Sequence, residues 1–232
     1  MATTPPAQIF TITPLKPSEI SPEEDIIAEG VNLINSTTSW KEGKTFFNNV
    51  KTFSHPKREG DGAPWHCRVS EHTKDEVTFD QLWEKLAKDK AINEKEFIHE
   101  IKKVTKVKEI SPTASIWTLY YTFMPPVSPR VFTELQVIHL DETAPRTGII
   151  VSIPVDLSSD EDLAKLEEKG VKGRYASVER VMDLGDGKTE WRMAVSSTTG
   201  GNIPTYFVES SMPKKISQDV PGFLQWFKSL PK

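Results

Sequence analysis

The 232-residue sequence contains one cysteine, Cys67, so it has no internal disulfide framework. No apolar run approaches the roughly 18 residues that a transmembrane helix needs. Its 29 basic and 33 acidic residues nearly cancel, giving a net charge of −4 that disfavours attraction to nucleic acid. The N-terminal residues lack a basic start followed by an apolar core, so no secretory signal is expected. These absences predict a cytoplasmic protein that binds no nucleic acid.

Sequence motifs of common enzyme and metal sites are also missing. There is no phosphate-binding loop, no dinucleotide glycine pattern and no serine nucleophile elbow. His66, Cys67 and His72 are close in sequence, but strand alternation places both histidines on the face opposite Cys67. No second group of ligands lies nearby to complete a zinc site. We therefore predict no cofactor, no metal ion and no catalytic residue.

The N-terminal half of the sequence predicts a flexible segment followed by helices and strands. Residues 1–20 are rich in proline and threonine, which is typical of a flexible lead-in, and residues 21–232 are assigned to one domain. Ser21 is followed by proline and two glutamates, the pattern of a helix N-terminus. Thr78 is expected to cap a second helix. Strands are predicted over 46–55 and 63–72, and a third helix over 93–103.

Beyond this point the hydrophobic period changes to two, which is typical of strands. The last two strands are predicted to form a hairpin around Gly185-Asp186-Gly187-Lys188. An acidic loop or short helix is expected at 158–172. The strands are predicted over 104–110, 115–124, 131–140, 147–154, 174–184 and 189–197. This order of elements indicates an α+β fold with a meandering antiparallel sheet.

The end of the chain predicts one long amphipathic helix that begins after Gly200-Gly201. Pro213 and Pro221 lie inside this helix and are expected to bend its axis. Apolar residues recur at spacings of mostly three and four, which places them on one face. They are Ile203, Tyr206, Phe207, Met212, Ile216, Val220, Phe223, Leu224, Phe227 and Leu230.

Three motifs, in this order along the chain, resemble the START-like (helix-grip, Bet v 1-like) superfamily. The first is Pro125-Pro126-Val127-Ser128-Pro129-Arg130-Val131-Phe132, a proline-rich turn into a strand. The second is Tyr175-Ala176-Ser177-Val178-Glu179-Arg180 followed by Glu190-Trp191-Arg192-Met193, and the third is Gly200-Gly201-Asn202-Ile203-Pro204. More narrowly, the chain resembles a fungal group of START-like proteins described as a domain of unknown function. The resemblance implies a curved antiparallel sheet wrapped around the long C-terminal helix.

The chain departs from the superfamily pattern in two places. Val131 stands where an acidic residue is common, which puts in doubt any ion pair formed there in relatives. Thr205-Tyr206-Phe207 stands where a tryptophan–leucine pair is usual, which would reshape one end of a cavity.

The resemblance also implies a function. It implies an apolar cavity between the sheet and the final helix that holds one hydrophobic molecule, such as a sterol, a phospholipid or a fatty acid. The protein would bind this ligand, could transfer it through transient contact with a membrane, and would act as a monomer. Burial of the ligand is favourable because about 25 cal/mol is gained for each Å² of apolar surface removed from water.

The final helix is the expected lid of this cavity. Gly200, Gly201 and Pro213 are the predicted hinge, because glycine allows free backbone rotation and proline weakens a helix. Alternatively, the apolar residues of the helix complete a dry core. The predicted lid residues are Tyr206, Phe207, Ile216, Val220, Phe223 and Phe227.

The predicted cavity walls carry candidate polar contacts. Tyr120 and Tyr121 point to opposite faces of their strand, so one of them is expected to line the interior, and Tyr120 is the candidate chosen. Arg130 either contacts ligand or fixes the turn beside it. Glu179 and Arg192 either form an inward pair that orients a ligand head group or an outward cross-strand ion pair.

A second function fits the same fold class. Helix-grip proteins include cyclase/aromatase-like enzymes, and a cyclase-, aromatase- or hydrolase-like activity would use the same cavity. Such chemistry needs an acid–base group with a shifted pKa inside an apolar site. Among such groups the sequence offers Glu179, His66 and Tyr120, without a complete catalytic constellation.

Overall fold

A computed structural model of the chain describes residues 9–58, 62–198, 200–201 and 205–231, with only the backbone described for Thr205 and Phe207. Within these residues ten strands form one sheet. The order across the sheet is β1-β2-β3-β10-β9-β7-β6-β5-β4, with β8 beside β6. The strands are β1 (Lys41–Glu42), β2 (Lys51–His55), β3 (Trp65–Thr73), β4 (Ile101–Ser111), β5 (Ala114–Tyr121), β6 (Arg130–Asp141), β7 (Thr147–Pro154), β8 (Val171–Lys172), β9 (Arg174–Gly185) and β10 (Lys188–Thr198).

Every neighbouring pair in this order is antiparallel, and only the short β8 pairs in parallel, with β6. β3 pairs with β10, although more than a hundred residues separate them in the chain. The predicted α+β class and antiparallel sheet are therefore confirmed.

One face of the sheet is covered by α1 (Glu23–Ser36), whose Ile26, Leu33 and Ile34 are buried against it. The N-terminal residues extend this layer, since Phe10 is fully buried and Leu15 forms a bridge with Val155. Phe10 and Leu15 thus contact the domain, whereas Thr13, Lys16, Ser18 and Glu19 are exposed. Residues 1–8 lie outside the described residues.

The opposite face carries α2 (Phe79–Ala87) and α3 (Lys90–Phe97). Thr78 caps α2 as predicted: its hydroxyl accepts a hydrogen bond from the Gln81 amide at 3.3 Å. The third helix ends earlier than predicted, because Ile101 already pairs with Tyr121 as the first residue of β4. The fourth helix is the single turn α4 (Glu161–Ala164).

The C-terminal helix α5 (Thr205–Ser229) crosses this second face. Pro213 and Pro221 lie inside it, each without a backbone donor, and the helix continues through both. Its C-terminal half is anchored by Val220 and Phe223, which are buried with Trp191 of β10. The helix-grip architecture predicted from the sequence is confirmed: one antiparallel sheet holds one long C-terminal helix.

Candidate functional site

A cavity of about 260 Å³ lies between the sheet, α3 and α5. Its walls come from α3, the start of β4, the end of β5 and the segment after it, the start of β6, the facing residues of β9 and β10, and the middle of α5. Met193 and Val195 of β10 form its floor and pack against Ile216 of α5. The register places Glu179 beside Met193 and Ser177 beside Val195, so both β9 side chains share this face.

A buried group of charges forms one end of the cavity. Lys90 Nζ lies 2.9 Å from Glu179 Oε1 and also contacts the Glu94 carboxylate. Arg68 Nη2 lies 3.5 Å from Glu179 Oε2, and Trp191 Nε1 donates a hydrogen bond to the same oxygen at 2.8 Å. The Arg68 guanidinium also stacks 4.0 Å above the centre of the Trp191 ring. Glu179 is therefore the common partner of both buried cations.

These contacts shift the pKa values of the group. Burial alone would raise the pKa of Glu179, but the charges of Lys90 and Arg68 outweigh it and hold this pKa below its ordinary value. Burial alone would lower the pKa of Lys90, but Glu179 and Glu94 raise it above its usual range. Burial raises the pKa of Glu94, which shares Lys90 with Glu179. At neutral pH Lys90 and Glu179 are therefore an ion pair in a dry environment.

Two further carboxyl groups lie close to this group and form no ion pair with any described residue. Burial, followed by the charge of Glu94, raises the pKa of Glu134 to about 8. Neither Glu134 carboxyl oxygen has a hydrogen-bond partner among the described residues. Burial also raises the pKa of Asp219, on the cavity side of α5, to about 7. Both groups thus carry protons at a pH where ordinary carboxyl groups are ionised.

The raised pKa of Glu134 predicts a pH dependence of stability. In the unfolded chain this carboxyl ionises near its ordinary pKa of 4.5, whereas in the folded protein it keeps its proton up to about pH 8. Folding is therefore opposed increasingly as pH rises through this window, by at most about 1.4 kcal/mol per pH unit. Glu134→Gln, which cannot ionise, should stabilise the protein more at pH 8 than at pH 5 in urea unfolding. A stability difference that is the same at both pH values would contradict the shift.

The predicted hinge and Arg130 meet at the entry to α5. Arg130 is buried, and its guanidinium donates hydrogen bonds to the carbonyls of Ser128 and, at 3.4 Å, Gly200. Gly200 has a φ of +64°, and a Cβ built on it would lie 2.4 Å from the Lys172 carbonyl oxygen. Only glycine fits this position. Arg130 therefore fixes this turn and does not line the cavity; Asn202, Ile203 and Pro204 lie outside the described residues.

Glu179 and Arg192, predicted as a possible pair, lie on opposite faces of the sheet. Met193 is the neighbour of Glu179, whereas Arg192 is the neighbour of Arg180. Arg192 faces α1, where its Nη2 lies 2.8 Å from Glu190 Oε2 and its Nη1 donates to the Thr37 hydroxyl at 2.9 Å. Side chains alternate between the two faces along a strand, so Arg192 points away from the face that carries its neighbour Met193. Of the predicted pair, only Glu179 therefore lines the cavity.

The tyrosine pair and the histidines follow strand alternation. Tyr121 lines the cavity, whereas Tyr120 points to the other face and is not part of its wall. Val195 pairs with His66 and Ala194 with Cys67, which places the histidine on the cavity side and the thiol on the α1 side. Burial raises the pKa of Cys67 to about 11, so this thiol stays protonated and unreactive.

The predicted lid residues divide into three groups. Ile216 lines the cavity. Val220 and Phe223 are buried in the core beside it, with Phe227 stacked on Phe223 at 5.8 Å between ring centres. Tyr206 is 74% exposed at the start of the helix. The side chain of Phe207 lies outside the described residues, and Pro213 borders an outer groove between α5 and β2.

The charged groups of the cavity were not predicted, although the sequence contains signals for some of them. Asp219 follows Ile216 by three residues and precedes Phe223 by four, so it falls on the apolar face of α5. Lys90 and Glu94 are four residues apart and share one face of α3, but the third helix was expected to begin after Lys90. The missed residues are Arg68, Lys90, Glu94, Glu134 and Asp219, and of the tyrosine pair Tyr120 was chosen where Tyr121 lines the cavity.

Two other findings concern the described residues as a whole. No group of three or more His, Cys, Asp or Glu side chains among them is arranged to hold a metal ion. None of the described helices, α5 included, has both the length and the apolar character needed to cross a bilayer.

Comparison with known proteins identifies a family and a fold. The model of a family described as "Protein of unknown function (DUF3074)" matches residues 65–227. Curated proteins give no match.

Solved structures of human lipid-transfer domains match nearly the whole chain. The human StAR-related lipid transfer protein 5 superposes with a TM-score of 0.73 at 17% identity, covering 89% of this chain and 94% of its own. Human STARD10 gives a TM-score of 0.73 at 11% identity, with 91% and 82% covered. The StarD13 (DLC2) lipid transfer and protein localization domain, also human, gives 0.65 at 15%, with 88% and 98% covered. At these identities the likeness concerns the fold, which is START-like.

Proposed function

Because this chain belongs to the family described as "Protein of unknown function (DUF3074)" and has a START-like fold, we propose that it binds one hydrophobic small molecule in the cavity beneath α5. The observation that carries this proposal is the cavity of about 260 Å³ itself, with Met193, Val195, Ile216 and aromatic rings in its walls. Its volume lies just below the roughly 300–1,000 Å³ typical of ligand pockets. A cavity of this kind favours an occupant that removes its apolar walls from water. StAR-related lipid transfer proteins share the architecture.

In the proposed role, the protein works in the cytoplasm as a monomer and transfers its ligand between membranes. Charge balance and the single buried, free Cys67 suit a reducing compartment. Met124, 85% exposed in the β5–β6 connection, directly follows Phe123 of the cavity wall. With the exposed Tyr206 of α5, Met124 offers apolar groups for a transient membrane contact.

Ligand identity is tested by releasing whatever the protein carries. The purified protein would be denatured in organic solvent and the extract analysed by mass spectrometry. We expect one hydrophobic compound class, a sterol, a phospholipid or a fatty acid derivative, in near-stoichiometric amount. Protein that is empty, and that also binds no hydrophobic probe added to it, would contradict the proposed function.

Exchange of ligand is proposed to require movement of α5 about Gly200 and Gly201. Gly201 has a φ of +67°, and a Cβ built on it would meet its nearest atoms at 3.4 Å, so alanine fits in space but restricts the backbone. Gly201→Ala should slow transfer of a fluorescent lipid between vesicles while leaving equilibrium binding nearly unchanged. Gly187→Ala is a matched control, with a φ of +72° in the β9–β10 turn away from α5. Equal transfer rates for both variants and the wild type would rule out the hinge.

A second candidate function is proton-transfer chemistry on the bound molecule. The raised pKa values of Glu134 and Asp219, about 8 and 7, are of the kind used for general acid–base catalysis at neutral pH. A cyclase-, aromatase- or hydrolase-like reaction would consume an added substrate, and Asp219→Asn would abolish this turnover. Recovery of every bound compound unchanged after prolonged incubation favours binding without catalysis.

A further inference from the structure

The outer groove between α5 and β2 is a second open space, with a volume of about 640 Å³. It lies at the β1–β2 edge of the sheet, whereas the cavity lies over β5, β6, β9 and β10. α5 separates the two spaces, and Lys215 and Gln218 line both of them. A partner that occupies the groove would therefore contact the same helix that covers the cavity.

The wall that α5 contributes to the groove is polar. Four residues of the helix line it, and their spacings of three and four place them on one helix face. They are Ser211, Lys214, Lys215 and Gln218. Lys44 lines the groove from the other side, in the connection between β1 and β2. Its backbone is held there, because its carbonyl accepts a hydrogen bond from the Thr52 hydroxyl at 2.6 Å.

The groove is basic, although the protein as a whole carries a net charge of −4. Its described lining residues include three lysines and no acidic residue. Lys44 and Lys214 form no ion pair with any described residue, whereas Lys215 Nζ lies 3.6 Å from Glu100 Oε1. The groove thus presents two cations without an anion, which favours an anionic partner at this surface.

An exposed aromatic ring lies at the tip of the same connection. Phe46 of the groove wall exchanges both backbone hydrogen bonds with Val50, at 2.8 and 2.9 Å, so residues 47–49 form a tight turn. Phe47 has a φ of +50° and is 44% exposed. A left-handed backbone is unfavourable for a bulky residue, and the exposed ring gains little from the core in return. Strain of this kind at an exposed ring indicates a contact with a partner.

We propose that Lys44, Phe47 and Lys214 form a docking surface for an anionic phospholipid bilayer, in which the lysines bind lipid head groups and the Phe47 ring enters the interface. The inference rests on the proposed transfer between membranes and names the surface that makes the contact. A soluble phosphate compound would use the lysines and leave Phe47 in water, whereas an aromatic ring beside cations suits a membrane interface. Because Lys214 belongs to α5, the docked surface includes the helix whose movement is proposed to exchange the ligand.

Vesicle binding tests the docking surface. Co-sedimentation would compare vesicles of phosphatidylcholine with vesicles that also contain about 30% phosphatidylserine, and we expect at least about tenfold tighter binding to the anionic vesicles. Each lysine near an anionic surface contributes about fivefold in affinity, so Lys44→Gln with Lys214→Gln should bind about 25-fold more weakly. Lys102→Gln with Lys108→Gln removes the same charge from exposed positions of β4, at the opposite edge of the sheet, and is the matched control.

A dye at position 47 gives an independent readout. Cys67 is buried and its pKa is raised, so a thiol-reactive dye attaches selectively to a Phe47→Cys variant. The emission of an environment-sensitive dye should shift to the blue on anionic vesicles, because the dye leaves water for the interface. The same dye on Ser159→Cys, an exposed position before α4 on the α1 side of the sheet, should show no shift.

The possible outcomes separate this inference from the proposed function. Equal binding to both kinds of vesicle, an equal loss in the control double variant, or a dye at position 47 that stays in water overturns the docking surface and leaves ligand binding intact. Tight binding of glycerophosphoserine, the head group without acyl chains, or of polyglutamate in place of vesicles also overturns it, and assigns the groove to a soluble anion or an acidic protein. Absence of vesicle binding, together with protein that carries no compound and binds no hydrophobic probe, overturns both.

Discussion

Replacement of Glu179 by alanine is expected to lower the free energy of unfolding by about 3–5 kcal/mol, the usual cost of leaving a buried charge without its partner. The reason is that Glu179 compensates two cations: Lys90 Nζ at 2.9 Å and Arg68 Nη2 at 3.5 Å. Both cations are at least 95% buried, so water cannot replace the carboxylate. The measurement is urea unfolding followed by tryptophan fluorescence at pH 7.

The control for this experiment is Glu84→Ala. Glu84 pairs with Lys85 at 2.8 Å but is 65% exposed, so water screens the pair and its loss should leave the unfolding midpoint unchanged. A similarly small effect for Glu179→Ala would mean that water reaches the charges of Lys90 and Arg68. Their ion pairs with Glu179 would then not be shielded from solvent.

Replacement of Phe223 by alanine should lower the free energy of unfolding by about 3–5 kcal/mol, as is typical for a large aromatic side chain removed from a core. Phe223 is fully buried, and its ring lies 5.3 Å from Trp191 and 5.6 Å from Phe97. It joins α5 to the sheet and to α3 at once. Denaturant unfolding measures the change, and Phe47→Ala, at a ring that is 44% exposed, is the matched control.

The Phe223→Ala variant also tests whether the two halves of α5 move together or separately. A large loss of stability would mean that the C-terminal half is a fixed anchor and that any opening is confined to the half nearer Gly201. A change below about 1 kcal/mol, the range of ordinary surface substitutions, would instead mean that the whole helix leaves the sheet at little cost. In that case the core contacts of Phe223 would contribute little to the free energy of unfolding.

Local features of the fold were predictable because neighbouring residues encode them. Thr78 was identified as a helix cap from its residue type and position, and the structure confirms the bond to Gln81. Alternation correctly separated His66 from Cys67, since a strand reverses its face at every residue. The third helix was misplaced because the helical period of 93–103 overlaps a strand start, and pairing of Ile101 with Tyr121 decided in favour of the strand.

The candidate site was predicted less completely. Ile216 and Glu179 were named, but the cations that pair with Glu179 and lower its pKa were not. Lys90 comes from α3 and Arg68 from β3, so neither is near Glu179 in the chain. Arg192, on the next strand of the hairpin, was offered as a possible partner, but the β9–β10 register sets it on the other face.

By itself the sequence determined the order of elements, the antiparallel sheet, the amphipathic C-terminal helix and the superfamily resemblance. Each of these follows from periodicity, capping or turn residues, which act over a few positions of the chain. Only the tertiary structure decided that Glu179 pairs with both Lys90 and Arg68 at one end of the cavity. That arrangement depends on the pairing of β3 with β10 and on the seating of α3 and α5 over the sheet. Such contacts join residues far apart in the chain, and the hydrophobic pattern that selects the register gives no indication of which charges it brings together.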